Sequence, residues 1–206
     1  SQTRKFTVIS RQKGTNDFSA YTWDVDLLKR LNEWKIIENT KEEISQIVDD
    51  YMRLSNNFLE SDEDFSFNTI VFWEGLYKYE NYLNPENKRD SLNLDITENT
   101  SQYLSIVFHQ FLQKESEKLT IRINNYLVRP FNPFPIQNIR GLGPSLLKLK
   151  NEEIRIEGFV LPNIAIKESK EKNNIWTPNN KSLMDMEGIY IYRNNRLILY
   201  SGWNGL

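Results

Sequence analysis

The chain has 206 residues, of which 39% are hydrophobic, and its formal net charge is −2. It is long enough to bury a core, and its near-neutral charge offers no general attraction for nucleic acid or an anionic membrane. Cysteine is absent and His109 is the only histidine, which excludes thiolate chemistry and argues against a histidine metal cluster or a Ser-His-Asp triad. Without a signal-peptide pattern or an apolar run of about 18 residues, we expect a cytoplasmic protein with no membrane span.

Short runs of β-forming residues dominate the first part of the chain. The predicted strands are residues 4–12, 18–23, 34–38 and 67–73. The last of these runs is almost continuously apolar, which predicts a strand that is buried on both faces. Residues 24–31 begin with acidic side chains and carry leucines at helical spacing, and they predict a short helix.

A longer helix is predicted to begin after Thr40. Glu43 follows Thr40 by three residues, the spacing of a capping box. Apolar residues then recur at helical spacing as far as residue 58, which indicates a helix that packs one face against a core.

The second part of the chain begins with a predicted linker over residues 84–95. An amphipathic helix follows, with its apolar stripe over residues 103–112. Asn124-Asn125 and Asn194-Asn195 each separate two β-forming runs, and both pairs predict tight hairpins because Asn tolerates a positive φ. The other predicted segments are a turn at residues 141–145, a strand at 152–161 and a polar loop at 167–181. Hairpins and a few helices, without regular βαβ alternation, predict an α+β fold with mixed sheets.

Three features of the sequence are candidates for a chemical site, but none of them identifies a reaction. The glycine-rich residues 141–145 lack the Gly-Lys-Ser/Thr ending of a Walker loop and favour a plain turn. His109 lies beside the apolar stripe of its helix and is expected to be a packed or surface residue. Carboxylates that are close in sequence leave an unrelated hydrolase as one alternative. These residues are Asp24, Asp26, Asp62 and Asp64.

Seven segments, in order along the chain, resemble motifs of one branch of the GHKL ATPases, which include gyrase, heat-shock chaperone, histidine kinase and MutL relatives. The branch is the bacterial microrchidia-like one. The resembling segments are residues 1–10, 21–26, 68–76, 104–112, 121–134, 158–162 and 188–206. The last of them, GIYIYRNNRLILYSGWNGL, is similar to a strand pair of the transducer domain of that family.

The resemblance implies two domains. Residues 1–83 would carry the last strands and helix of the ATP-binding domain, and residues 84–206 a transducer domain that resembles a domain of a small ribosomal-subunit protein. Thr69 matches a nucleotide-contacting position, although Asn68 replaces the glycine that usually precedes it. Arg193 and Arg196 are implied to be relay or interaction residues.

The resemblance also implies that the chain is not catalytic alone. The family's general-base Glu, its Mg²⁺-binding Asn, its adenine-binding Asp loop and its glycine-rich lid have no counterpart here. ATP and Mg²⁺ would be cofactors of the intact protein and not of this fragment. Its partners would be the rest of its own ATPase chain and, in the intact protein, a second copy.

An alternative function is a stand-alone module that binds protein or nucleic acid. The hairpin around Asn194-Asn195 would then present an exposed aromatic and basic platform formed by Tyr190, Tyr192, Arg193 and Arg196. The near-neutral charge of the chain does not favour nucleic acid.

Overall fold

The computed structural model describes residues 3–55, 67–135, 139–163, 165, 175–178, 181–203 and 205. The chain divides into two compact units. Unit 1 comprises Ser1–Leu92 and Asn124–Tyr126, and unit 2 comprises Asn93–Ile123 and Leu127–Leu206. Helices and antiparallel sheets occur together, which confirms the α+β class. The assignment of residues 1–83 and 84–206 to an ATP-binding and a transducer domain stays a prediction.

Unit 1 is built on a four-stranded sheet in the order β3-β2-β1-β4. Its strands are β1 (Thr3–Arg11), β2 (Phe18–Asp24), β3 (Ile37–Glu38) and β4 (Thr69–Leu76). Every neighbouring pair is antiparallel, and β1 and β2 pair without a bulge from Lys5↔Asp24 to Arg11↔Phe18. Because side chains alternate along each strand, this register assigns every residue of the sheet to one of two faces.

Two helices accompany this sheet. The helix α1 (Val25–Leu31) begins at Asp24, whose carboxylate accepts hydrogen bonds from the backbone N–H groups of Asp26 and Leu27. The helix α2 (Lys41–Ser55) begins with the predicted capping box, in which Glu43 N–H donates to Thr40 Oγ1 at 3.2 Å and Thr40 N–H donates to Glu43 Oε2 at 2.9 Å. Its apolar stripe covers one face of the sheet, where Ile9, Ala20 and Ile44 are buried together.

The prediction that residues 67–73 form a strand buried on both faces is wrong. The strand β4 is at the edge of the sheet, and Val71, Phe72 and Trp73 are exposed. An apolar run has the same sequence whether or not a second layer covers it, so the pattern alone could not distinguish the two cases.

The predicted linker at residues 84–95 is also wrong. It contains the helix α3 (Pro85–Leu94), which follows a 3₁₀ turn at Tyr77–Tyr79. Asn84 Oδ1 accepts hydrogen bonds from the N–H groups of Glu86 and Asn87. An Asn cap followed by proline at the first helical position is a favourable helix start, because proline lacks the N–H that would be unpaired there.

Helical structure then continues into unit 2. A π-helical segment (Asp95–Thr100) leads into α4 (Ser101–Val107) and α5 (His109–Leu112). The two α-helices are separated only at Phe108, which has φ −107° and ψ 12°. Ile106 and Val107 of α4 are buried with Met186, from a 3₁₀ turn at Met184–Met186, and with Leu197.

Two hairpins confirm the predicted asparagine turns. The first joins β5 (Arg122–Ile123) to β6 (Tyr126–Leu127), and the second joins β9 (Ile191–Arg193) to β10 (Arg196–Leu199). The φ values are 45° and 73° at Asn124 and Asn125, and 49° and 64° at Asn194 and Asn195. Two successive positive φ angles are what a two-residue turn requires between strands of right-handed twist.

The longest hairpin of unit 2 joins β7 (Arg140–Leu149) to β8 (Glu152–Val160). The predicted turn at residues 141–145 is wrong, because these residues lie inside β7 and form a bulge between Leu142 and Ser145. Gly143 has φ 103°, and a Cβ atom there would lie 3.2 Å from the carbonyl oxygen of Ile156. Glycine is therefore used here for a strand irregularity and not for a turn or a phosphate loop.

Candidate functional site

Thr69, the predicted nucleotide-contacting residue, is the first residue of β4 and is exposed. Its Oγ1 atom lies 3.2 Å from Oγ of Ser10, the residue directly opposite on β1. Among the described strands, β1 is the only one that pairs with β4, so one side of β4 is an open edge of the sheet. An open edge presents backbone donors and acceptors to which a further strand can bind.

The face of the sheet opposite α2 carries a group of large apolar side chains. This open face consists of Phe6, Val8, Tyr21, Trp23, Val71 and Trp73. Tyr21, Val71 and Trp73 are each about half exposed. Trp34 extends the open face, because its ring centroid lies 5.0 Å from that of Trp23 while 84% of the residue remains exposed. Contiguous aromatic surface of this kind marks binding surfaces more often than chance exposure does.

Two basic side chains of β1, Arg4 and Lys5, are engaged by carboxylates. Arg4 donates to both carboxylate oxygens of Glu80, at 2.5 and 2.9 Å, and its guanidinium also lies over the ring of Tyr77. The hydrogen bond between them raises the pKa of Arg4 and lowers the pKa of Glu80. Lys5 pairs with Glu74 at 3.0 Å. These pairs are exposed and contribute little to stability, but they leave Arg4 and Lys5 poorly placed to receive a phosphate.

Arg193 and Arg196, the predicted relay residues, lie directly opposite each other across the β9–β10 hairpin. The guanidinium of Arg196 lies 5.3 Å from the ring centroid of Phe108, between α4 and α5. This cation–π contact offsets part of the repulsion between two like charges on paired residues. Arg196 thus joins the hairpin to the helical layer of unit 2, and both arginines are exposed.

The expectation that Tyr190 and Tyr192 are exposed is wrong. Both rings pack against the buried cluster of unit 2. The Tyr190 hydroxyl donates to the carbonyl of Met186 at 2.7 Å, and burial, with a smaller effect of Tyr200, raises the pKa of Tyr190 to about 12. Burial also raises the pKa of Tyr192, whose hydroxyl has no hydrogen-bond partner in the described part of the chain. Neither tyrosine is available as a stacking platform.

His109 completes this buried group. It is 3% exposed, and its ring contacts that of Tyr192 edge-on at 5.6 Å. Its Nδ1 atom lies 2.7 Å from the carbonyl oxygen of Ile106, which can only accept, so Nδ1 carries the proton of the neutral ring. Burial lowers the pKa of His109 despite this hydrogen bond. Burial and the hydrogen bond to the backbone give this imidazole a structural role.

A cavity of about 490 Å³ lies beside the π-helical segment in unit 2. Its lining residues are Glu98, Asn99, Gln102, Tyr103, Ile106, Pro178, Lys181, Met186 and Tyr200. Gln102 donates to Glu98 Oε2 at 3.2 Å, and Asn99 donates to Asp95 Oδ1 at 2.9 Å, so three of the polar side chains are already engaged. A π-helix has no periodic pattern in the sequence, so this cavity could not be predicted from the sequence.

The carboxylates of the hydrolase alternative have structural roles where they are described. Asp24 caps α1, and Asp26 pairs with Arg4 at 3.5 Å. Asp62 and Asp64 lie outside the described residues. Within the described ranges, no three His, Asp or Glu side chains are grouped so that they could hold a metal ion.

In the described part of the chain, every helix is too short or too polar to span a lipid bilayer. When the chain was compared with family models, with curated proteins and with solved structures, none of them matched it.

Proposed function

We propose that this chain is a non-catalytic part of a GHKL-type ATPase of the bacterial microrchidia-like branch, working in the cytoplasm. In the intact protein it would help to complete the nucleotide site and transmit the ATP state to other domains. The observation that carries this proposal is the ordered series of seven resembling segments, which run from residues 1–10 to 188–206 and fall in both compact units.

The arrangement of unit 1 supports the proposal. Thr69 begins a strand with an open edge, and α2 is a helical layer on only one face of the sheet. A sheet of this kind can accept further strands at β4 from the part of the ATP-binding domain that holds the lid and the catalytic Glu and Asn. Thr69 would then lie near the junction, where its hydroxyl can contact the nucleotide.

The contacts of unit 2 support a transmitting role. Arg196 connects the β9–β10 hairpin to Phe108, and the Tyr192 ring connects the same hairpin to His109. A displacement of the hairpin would therefore move α4 and α5 with it. ATP and Mg²⁺ would be held mainly by residues of the intact ATPase that this chain lacks, and the intact protein would act as a homodimer.

The first prediction concerns nucleotide binding by this chain. Calorimetric titration with Mg·ATP should give no affinity in the micromolar range, because the groups that hold phosphates, Mg²⁺ and adenine in the family are missing. A dissociation constant in the micromolar range would overturn the proposal.

In the intact ATPase, Thr69→Val should weaken ATP binding by roughly fivefold, which corresponds to the loss of one hydrogen bond of ~1 kcal/mol. Thr15→Val is the matched control, because Thr15 is an exposed threonine in the β1–β2 loop whose hydroxyl donates to the carbonyl of Gln12. Equal ATP affinity for the Thr69→Val and Thr15→Val proteins would remove Thr69 from the nucleotide site.

The second candidate function is an interaction module, and the open face of unit 1 favours it. Five aromatic rings on one side of a small sheet, counting Trp34, could bind an apolar protein surface or stack against bases. Unit 1 carries more acidic than basic side chains, which disfavours nucleic acid and favours a protein partner.

A further inference from the structure

The β7–β8 hairpin forms a two-stranded sheet of its own within the part of the chain that the structure describes. Among the described strands, β7 and β8 pair only with each other. Every residue of β7 is exposed, and so is every residue of β8 except Gly158. An isolated two-stranded hairpin is marginally stable in water, because it has no hydrophobic face covered by a second layer. We therefore expect another layer to cover one face of this hairpin and stabilise it.

The register divides the side chains of this hairpin into two unlike faces. One of them, the aliphatic face, consists of Leu142, Leu147, Leu149, Ile154, Ile156 and Val160. These six residues are between 44% and 58% exposed. The opposite face carries Lys148, Glu153, Arg155 and Glu157, together with Leu146 and Phe159. Phe159 is stacked on Phe134 at 4.5 Å, so on the polar face it already has a partner.

On the side of the hairpin that carries the aliphatic face, charged residues lie only at the two ends. Arg140 is paired with Val160 at the base of the hairpin, and Glu152 is paired with Leu149 at its tip. The ion pairs formed among the described residues include neither Arg140 nor Glu152. If two hairpins packed face to face in opposite directions, each Arg140 would meet Glu152 of the second copy, and aliphatic side chains would meet between them. A two-fold axis produces this arrangement twice.

The area of the aliphatic face agrees with such a contact. Six half-exposed aliphatic side chains present roughly 500 Å² of apolar surface, at the upper end of what a soluble monomer leaves open. Burying this area on two copies removes about 1,000 Å² from water, the lower limit for a specific interface.

We propose that the aliphatic face of β7–β8 binds the same face of a second copy, with the two hairpins antiparallel. The product is a two-layer sandwich of hairpin on hairpin, with two Arg140–Glu152 ion pairs at its ends. This contact needs no nucleotide, and it is independent of the ATPase proposal.

The test measures the mass of the full chain by sedimentation equilibrium without nucleotide, over micromolar concentrations. The unsubstituted chain should be a dimer. Leu147→Glu should raise the dissociation constant at least about tenfold, because each copy would bury a carboxylate in an aliphatic contact. The matched control is Leu146→Glu, which places the same substitution on the polar face at a residue of similar exposure and should leave the dimer intact.

A charge exchange tests the antiparallel orientation. Arg140→Glu alone should weaken the dimer, and the double variant Arg140→Glu/Glu152→Arg should restore it, since both ion pairs return with their signs reversed. The chain contains no cysteine, so the double variant Arg140→Cys/Glu152→Cys provides a second readout with a short bis-maleimide that spans the roughly 10 Å between packed sheets. Its two sulfurs lie at opposite ends of a strand pair, too far apart for the reagent to join them within one copy, and the reaction should yield a covalent dimer.

Circular dichroism and thermal unfolding of each variant serve as the control for folding. A monomer at all concentrations would overturn the proposal, including the case in which the aliphatic face binds some other protein. Equal effects of Leu147→Glu and Leu146→Glu, or no rescue by the charge exchange, would also overturn it.

Discussion

The hydroxyl of Thr22 belongs to a buried chain of hydrogen bonds that gives the sheet of unit 1 a polar centre. Thr22 Oγ1 donates to Asn39 Oδ1 at 2.7 Å, so the hydroxyl of Thr7, also at 2.7 Å, must donate to Thr22. Thr7 and Thr22 are each 1% exposed. The chain therefore has a direction, and its members are not equivalent.

Because the hydrogen-bond chain has a direction, Thr22→Val and Thr7→Val should differ in their effect on stability. Thr22→Val should lower the free energy of unfolding by about 1–3 kcal/mol, because it leaves the buried Thr7 hydroxyl without an acceptor. Thr7→Val should cost less, since Thr22 keeps its bond to Asn39. The double variant should be more stable than Thr22→Val alone. Urea denaturation measures all three, and equal losses for the two single variants would contradict the direction of the chain.

At the scale of elements, the two asparagine turns are the features most directly specified by local sequence. Asn195 has φ 64°, a conformation that glycine adopts freely and β-branched residues avoid. Asn195→Val should therefore destabilise unit 2 by about 1–2 kcal/mol. Asn195→Gly should be neutral or stabilising, and it serves as the control. Thermal unfolding followed by tyrosine near-ultraviolet circular dichroism reports the change, and equal losses for both variants would count against a two-residue turn.

Elements defined by neighbouring residues could be predicted from the sequence, and elements defined by distant ones could not. The capping box of Thr40 and Glu43 and both Asn-Asn turns depend on residues within four positions. The open edge at β4 depends on which strands meet over some sixty residues of chain, and the bulge in β7 depends on β8. The helix α3 begins with a local signal, an Asn84 cap followed by Pro85. The polar residues after it nevertheless led to the linker prediction.

In the candidate site, too, contacts between residues that are distant in sequence could not be predicted. The family resemblance implied Thr69, Arg193 and Arg196, and the structure adds a contact for two of them: Ser10 for Thr69 and Phe108 for Arg196. The inward packing of Tyr190 and Tyr192 could not be read from strand alternation, because alternation gives two faces without saying which one is covered. The cavity beside the π-helical segment brings together residues that are up to a hundred positions apart.

At the scale of the whole molecule, the single histidine determines how stability changes with pH near neutrality. His109 has a pKa of about 6.5 when unfolded and a lower pKa when folded, because it is buried. Between these two values the unfolded chain binds a proton that the folded chain does not. The free energy of unfolding should therefore fall as the pH falls below about 6.5.

His109→Asn tests this dependence, since asparagine can still donate to the Ile106 carbonyl but does not titrate. Urea midpoints of the unsubstituted chain should decrease between pH 7.5 and 5.5, whereas those of the variant should change much less. A variant with the same slope would assign the pH dependence to the carboxylates instead.

The position of His109 also makes it a built-in reporter of opening in unit 2. Reagents that acylate neutral imidazole can reach the ring only when α5 separates from the β9–β10 hairpin, because Nδ1 is hydrogen-bonded and the ring lies against Tyr192. The rate of modification therefore measures how often this contact breaks, independently of the rest of the molecule. Because lysine and tyrosine side chains also react with such reagents, mass spectrometry of the peptide that contains His109, the only histidine of the chain, would follow that opening.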